Sequence, residues 1–264
     1  MSFVISWLSV ALFNVSMLSG LIVAFVYKPH IAYQSVQTLT YLVPYGDVFR
    51  QLHYFSSEAF LVVVLLHVIL EIIKIKIKID EKSWNYSVLS LLILFFLMFT
   101  GYVLKADLSG ISAAEVSLSL LKQTPLLDMF LPLFEDNSMF IWKFYLWHIL
   151  FLPILLTYAI YVHVKTLKTK YFIIGIGVTI LCMVVFTMPK DIPLDTVLTH
   201  VTGPWFFLGA ENLLMLGISP IVVNTVIAVP FLLLTLYFYF QNYRVILNYL
   251  LLIWLGFYAY FSFI

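Results

Sequence analysis

The chain has 264 residues, 63% of them hydrophobic and only 10% charged, with a formal net charge of +1. Soluble domains run near half apolar and a quarter charged, so this is an integral membrane protein, and so small a net charge argues against nucleic acid as a partner. The single cysteine, Cys182, excludes a disulfide framework, a multi-cysteine cluster and covalent attachment of any group through paired cysteines.

Hydrocarbon does not tolerate unpaired backbone groups, and the apolar runs are too long and unalternating for barrel strands, so the spans are helices. Seven are expected: 3–27, 54–73, 84–104, 140–164, 171–188, 220–240 and 245–263. The first, ISWLSVALFNVSMLSGLIVAFVY, lacks the basic leader of a cleavable signal and is long enough to span by itself. A long connection, 28–53, follows it. KIKIKI at 74–79 reads as a topology anchor between spans rather than a strand. The connection 105–139 reads as one or two short interfacial helices. In 189–219 the start is too polar to span, and the second half is expected to lie along the membrane. Pro230 is expected to kink the sixth span without ending it.

Charge sets the orientation. Lys74, Lys76, Lys78, Lys82, Lys165, Lys168, Lys170 and Arg244 crowd the short turns on one side. Lys28, Arg50, Lys105, Lys122, Lys143 and Lys190 are spread over much longer loops on the other. The positive-inside rule puts the N-terminus and the short turns on the cytoplasmic, negative side. The three long, acid-containing loops then share the opposite face, which is the expected functional face.

Four of the six histidines form a pattern. His53 and His67 are fourteen residues apart on the second span, and His148 and His163 fifteen apart on the fourth. Those intervals are close to four helical turns, so each pair shares a face, with a rise of about 21–22 Å between partners. Both spans run from the loop-rich side to the lysine-rich side. His53 therefore falls level with His148, and His67 with His163. A lone intramembrane histidine is commonly an interhelical hydrogen-bond donor; two pairs at matched depth on parallel helices point to two stacked bis-imidazole sites. Zinc wants four ligands clustered at one level. Six-coordinate haem iron needs only two axial imidazoles, and the lack of an open position suits electron transfer. A wide flat group also needs room, and Ser6 with Gly20 on the first span and Ser87 with Gly101 on the third repeat the fourteen-residue interval.

With these residues in place, the chain resembles cytochrome b of the Rieske/cytochrome b (bc1- and b6f-type) complexes. The resemblance runs from LSGLIVAFVY (18–27) through the last spans. It rests on Arg50 three residues before His53, the step to His67, GYVL at 101–104, His148 and His163 at the b6f-like interval, and GPWFFLG at 203–209, similar to the motif Pro-Glu-Trp-Tyr. The family's long form has eight spans, so a shortened C-terminal end is expected. The resemblance implies a di-haem four-helix bundle over 1–168 and a C-terminal-like part with three helices over 169–264. It implies a low-potential haem b at His53/His148, a high-potential haem b at His67/His163, and Arg50 as a propionate partner. It further implies quinol oxidation on the loop-rich side near Tyr102, Pro204, Trp205 and Phe206, and quinone reduction on the lysine-rich side near Lys168, Lys170 and Tyr171. A Rieske iron–sulfur protein, a cytochrome c-type subunit and a homodimeric complex are the implied partners. The implied location is an energy-conserving membrane, bacterial or mitochondrial inner.

Two departures stand out. Pro204 occupies the place of the family's proton-accepting glutamate, and Lys105, Ala106 and Asp107 replace the Pro-Trp-Gly that commonly follows GYVL. Quinol oxidation needs a base within reach. Glu211, seven residues beyond Pro204, is a candidate, as are Asp107, Glu115 and His200. Two other readings stay open: a b subunit serving different redox partners, and a non-redox membrane carrier or anchor with structural histidines.

Overall fold

The computed structural model describes residues 2–73, 80–134, 139–167, 169–197 and 201–263. Among them there are helices and turns and no strand. In chain order the α-helices are α1 (Ser2–Val26), α2 (Ala32–Tyr41), α3 (Gly46–Ile73), α4 (Glu81–Val103), α5 (Leu108–Lys122), α6 (Phe140–Leu146), α7 (Leu152–Val164), α8 (Phe172–Val185), α9 (Leu208–Met215), α10 (Pro220–Tyr239) and α11 (Arg244–Ser262). Six stretches are long and apolar enough to cross a membrane: Val4–Val26, Gly46–Ile73, Glu81–Val103, Phe140–Val164, Pro220–Tyr239 and Gln241–Ser262. The fold is that of an all-α multi-pass membrane protein.

The helices differ from expectation at two places. α3 begins at Gly46, eight residues before the apolar run, because Asp47, Arg50 and Gln51 are polar without being helix breakers, and an acid in the first turn suits the helix dipole. His53 is thereby set well inside the helix. The fifth expected span is only the 14-residue α8, about 21 Å long against a hydrocarbon core of about 30 Å. Phe186 is extended (φ −114°, ψ 153°) and Pro189 follows, so the helix stops early. Pro230 lies inside α10 and does not end it, as expected.

The chain forms two compact units. Met1–Thr100 and Tyr145–Lys190 make the first. There α1 lies along α3, and α8 packs on both. The approach of α8 depends on Gly175, where a β-carbon would fall 2.9 Å from that of Ala11. Asn14 of α1 donates to the Leu167 carbonyl at 3.0 Å, which ties the turn before α8 to the bundle.

Gly101–Phe144 and Asp191–Ile264 make the second unit. Its core joins Ala210, Leu213 and Val223, with Leu120 and Phe261 packed against them. Gly209 lets α9 meet α11: a β-carbon there would lie 2.9 Å from Ser262 Oγ. Side chains also bond to backbone carbonyls between the helices. Tyr258 donates to the Phe206 carbonyl at 2.8 Å, Asn212 to the Phe261 carbonyl at 2.8 Å, and Asn224 to Leu120 O at 3.1 Å. Such interhelical bonds are worth about 1 kcal/mol each in a bilayer.

Candidate functional site

All four paired histidines lie in the first unit, and the helices without histidines orient them. His53 Nδ1 is 2.9 Å from the Ser16 carbonyl of α1. His148 Nδ1 is 3.1 Å from the Leu97 carbonyl of α4 and 3.1 Å from Thr100 Oγ1. His163 Nδ1 is 3.1 Å from the Ser83 carbonyl and 2.9 Å from Ser83 Oγ. A carbonyl only accepts, so these three rings donate through Nδ1–H and keep the lone pair on Nε2. That is the tautomer a metal needs, fixed by a neighbour as metal-binding imidazoles usually are. His67 Nδ1 lies 3.3 Å from the Ser6 hydroxyl of α1.

The rings pair at the two expected levels. His53 and His148 have centroids 6.1 Å apart with planes at 86°, and His67 and His163 are 6.4 Å apart at 59°. An iron bonded to two opposed imidazole nitrogens at about 2 Å each holds the centroids roughly 6 Å apart, so both spacings fit a bis-imidazole site. Gly20 supplies the room beside the first pair: a β-carbon there would fall 2.8 Å from His53 Cε1. Among the described residues no group of three or more His, Cys, Asp or Glu could hold a metal ion.

The fifteen-residue interval has a structural reason. Between α6 and α7 lies a π-turn, Trp147–Phe151, which contains His148. There the Leu152 amide donates to the Trp147 carbonyl, one residue further back than in an α-helix. Pro153 follows and has no N–H to give the Ile149 carbonyl. A π-turn absorbs one extra residue. Fifteen positions thus turn through about the angle of fourteen, and His148 stays on the face of His163.

Ser6 reaches His67 and Gly20 abuts His53, but Ser87 donates back to the Trp84 carbonyl at 2.7 Å. Gly101 is half-buried near the end of α4. The residues that orient the rings were not singled out by the sequence: Ser16, Ser83, Leu97 and Thr100. Ser16, Leu97 and Ser83 act through backbone carbonyls, which every residue carries, and the hydroxyls of Ser83 and Thr100 are not at the histidine interval. Arg50, one turn before His53 on α3, donates to Thr40 Oγ1 of α2 at 2.9 Å.

The second unit brings GYVL and GPWFFLG together. The Tyr102 hydroxyl donates to the Thr202 carbonyl at 3.1 Å, and the Gly203 amide donates to Glu211 Oε2 at 2.9 Å. One peptide is thus held between a phenol and a carboxylate. Pro204 and Phe206 are buried, while Trp205 is 45% exposed. Lys105 Nζ stands 4.6 Å over the Tyr102 ring.

Asp107 has both oxygens engaged. Oδ1 accepts from the Gly110 amide and the Ser109 hydroxyl, each at 2.8 Å; Oδ2 accepts from the Ile192 amide at 3.0 Å and pairs with Lys105 Nζ at 3.1 Å. It caps α5. Burial opposes its charge, but Lys105 and the bonds from Ile192, Gly110 and Ser109 outweigh burial and hold the carboxyl below the usual carboxylate range. So saturated a carboxylate is a poor proton acceptor. Glu115 is exposed on α5. In the first unit, Lys170 Nζ stands 5.3 Å over the Tyr171 ring. Lys168, His200 and the lysines at 74, 76 and 78 lie outside the described residues.

A family model for cytochrome b/b6/petB matches residues 1–171. The menaquinol:cytochrome c reductase cytochrome b subunit of Bacillus subtilis is 30% identical over 116 residues, 43% of this chain and 52% of that one. Cytochrome b6 of Heliomicrobium gestii is 27% identical over 159 residues, 57% of this chain and 75% of that one. Cytochrome b of Sulfolobus acidocaldarius is 32% identical over 115 residues, 43% of this chain and 20% of that one. The matched region thus spans about half the length of the Bacillus relative and a fifth of the Sulfolobus one. A solved chain of a hyperthermophilic respiratory Complex III shares the fold, with a TM-score of 0.69 at 17% identity, covering 100% of this chain and 90% of that one.

Proposed function

The chain belongs to the cytochrome b/b6 family, whose members bind haem b, and on that premise we propose that it is the di-haem subunit of a quinol-oxidising complex of the quinol:cytochrome c reductase type. His53 and His148 hold one haem iron and His67 and His163 the other. A haem held by these imidazoles would supply one-electron storage. The observation that carries this reading is the pair of ring spacings, 6.1 Å and 6.4 Å, at two levels of one bundle. The Ser16, Leu97 and Ser83 carbonyls fix the tautomers, and Arg50, one turn before His53, pairs with a haem carboxylate.

On the loop-rich face, Tyr102, Pro204, Trp205 and Phe206 form the wall of a quinol site, and Glu211 takes the proton that the glutamate missing at Pro204 would take. Asp107 holds the loop in shape instead of exchanging protons. On the opposite face Lys168, Lys170 and Tyr171 receive quinone. Electrons crossing between the faces move charge against the membrane potential, at about 2.3 kcal/mol per charge for each 100 mV. A Rieske-type iron–sulfur protein and a cytochrome c complete turnover in a homodimeric complex, in an energy-conserving membrane with the N-terminus on the negative side. Pro204 favours one second reading, a b subunit that delivers electrons to partners other than a Rieske protein.

A reduced-minus-oxidised spectrum of the purified protein with a haem count tests the proposal. Two haems b per chain are expected, and His67→Leu should retain one. A colourless protein overturns the redox reading, and two haems in His67→Leu overturn the ligand pairing. An iron–sulfur protein that co-purifies separates the two assemblies.

A further inference from the structure

One buried hydroxyl in the first unit has no assigned work. Tyr27 Oη, just past the end of α1, is buried without a hydrogen-bond partner among the described residues. Leaving such a group unsatisfied is destabilising, so its position calls for an acceptor. The ring is not free to swing toward solvent. It stacks on Tyr145 with centroids 5.3 Å apart and planes at 13°, and the Tyr145 hydroxyl donates to the Ala24 carbonyl at 3.4 Å.

Its place on the helix says what the acceptor is. Tyr27 follows Gly20 by seven residues, two helical turns, so the two share a face of α1 about 10 Å apart along the axis. Gly20 is the residue against which the His53 ring rests. Tyr145 precedes His148 by one turn. Both tyrosines therefore stand beyond the His53/His148 level, toward the C-terminus of α1 and the N-terminus of α3. Haem b carries its two carboxylates on one edge, and a carboxylate is expelled from hydrocarbon toward the nearer membrane face. For this pair of histidines the nearer face is the end where Tyr27 lies. Arg50, one turn before His53, stands at the same end.

We propose that the Tyr27 hydroxyl donates a hydrogen bond to a carboxylate of the haem held by His53 and His148. The inference rests on the haem reading above. It gives α1 a polar contact to that haem in addition to the clearance at Gly20, and it makes the carboxylate easier to ionise by stabilising its charged form.

The test uses the purified complex and Tyr27→Phe, which keeps the stacked ring and removes only the hydroxyl. Both haems should remain. The propionate-bending band in resonance Raman should shift, and the pH dependence of the midpoint potential of the haem that is lost in His53→Leu should be displaced upward. The other haem should be unmoved. Tyr145→Phe is the control, since it keeps the Tyr27 hydroxyl and removes the neighbouring one, which donates to the Ala24 carbonyl. A band and pH dependence unchanged in Tyr27→Phe overturn the assignment, as does an equal shift in Tyr145→Phe, which would trace the effect to the ring stack. Absence of haem from the unsubstituted chain removes the underlying reading instead, so the two failures are distinguishable.

Discussion

The histidine bundle and the cluster around the Thr202–Gly203 peptide do their work by opposite means. In the bundle, four rings on two helices are set by helical rise and turn, and each takes its orientation from a carbonyl or hydroxyl on a neighbouring helix. In the cluster, the chain is irregular, and each contact depends on one particular side chain: Tyr102 on a carbonyl, Glu211 on an amide, Asp107 on two amides, a hydroxyl and an ammonium. The first arrangement tolerates drift in its second partners, because a backbone carbonyl survives most substitutions. The second does not. Loss of one carboxylate leaves buried donors with nothing to replace it.

Substitutions can break that contrast or sharpen it. The largest effect is expected at the one bundle position where space is critical. Gly20→Val would place a β-carbon 2.8 Å from His53 Cε1 and branch it there, so one of two haems should be lost, while Gly177→Val, with nothing within 4 Å of its β-carbon, should keep both. A haem count on both variants decides, and two intact haems in Gly20→Val would remove Gly20 from the cradle. Next is Glu211→Gln, which keeps an acceptor for the Gly203 amide but cannot take a proton; quinol oxidation should slow by about 100-fold or more with haem content unchanged. Turnover at the original rate would send the proton elsewhere.

A smaller, purely structural loss is expected at Asp107. Asp107→Ala strips the cap from α5 and orphans two amides, for about 2–4 kcal/mol measured by thermal melting of the purified protein. The folded carboxyl lies below its unfolded value, so its stabilisation is complete above about pH 4 and is lost as pH falls through the folded value. The gap between the original protein and Asp107→Asn should accordingly close in acid. A gap that widened there would contradict the sign of the shift. Smallest of all is Ser83→Ala: the Ser83 carbonyl still accepts from His163, so both haems should remain and stability should fall by about 1 kcal/mol or less. Loss of the haem would show that the hydroxyl, not the carbonyl, holds the ring.

How much was legible follows the same division. The four histidines could be paired from their numbers alone because a helix converts sequence interval into depth and direction. GYVL and GPWFFLG could be placed in one region only through resemblance, and the bond from Tyr102 to the Thr202 carbonyl has no sequence signature. Interval reasoning says nothing of hydroxyl partners: Ser87 donates to the Trp84 carbonyl of its own helix. Ser16 and Leu97 serve through main-chain oxygens and were invisible for that reason. The early start of α3 has no mark in the apolar pattern, because apolarity marks the hydrocarbon, whereas a helix continues past it for as long as its backbone bonds can form.

The π-turn at Trp147–Phe151 has one more consequence, for lineages. A helix that can store a spare residue in a loosened coil can gain or shed one codon there without moving the imidazoles on either side of it. Two descendants would then differ in their counted interval while their rings coincide in space, so ligand spacing between histidines is a poor clock of divergence in this helix and a good marker of where its insertions have been tolerated.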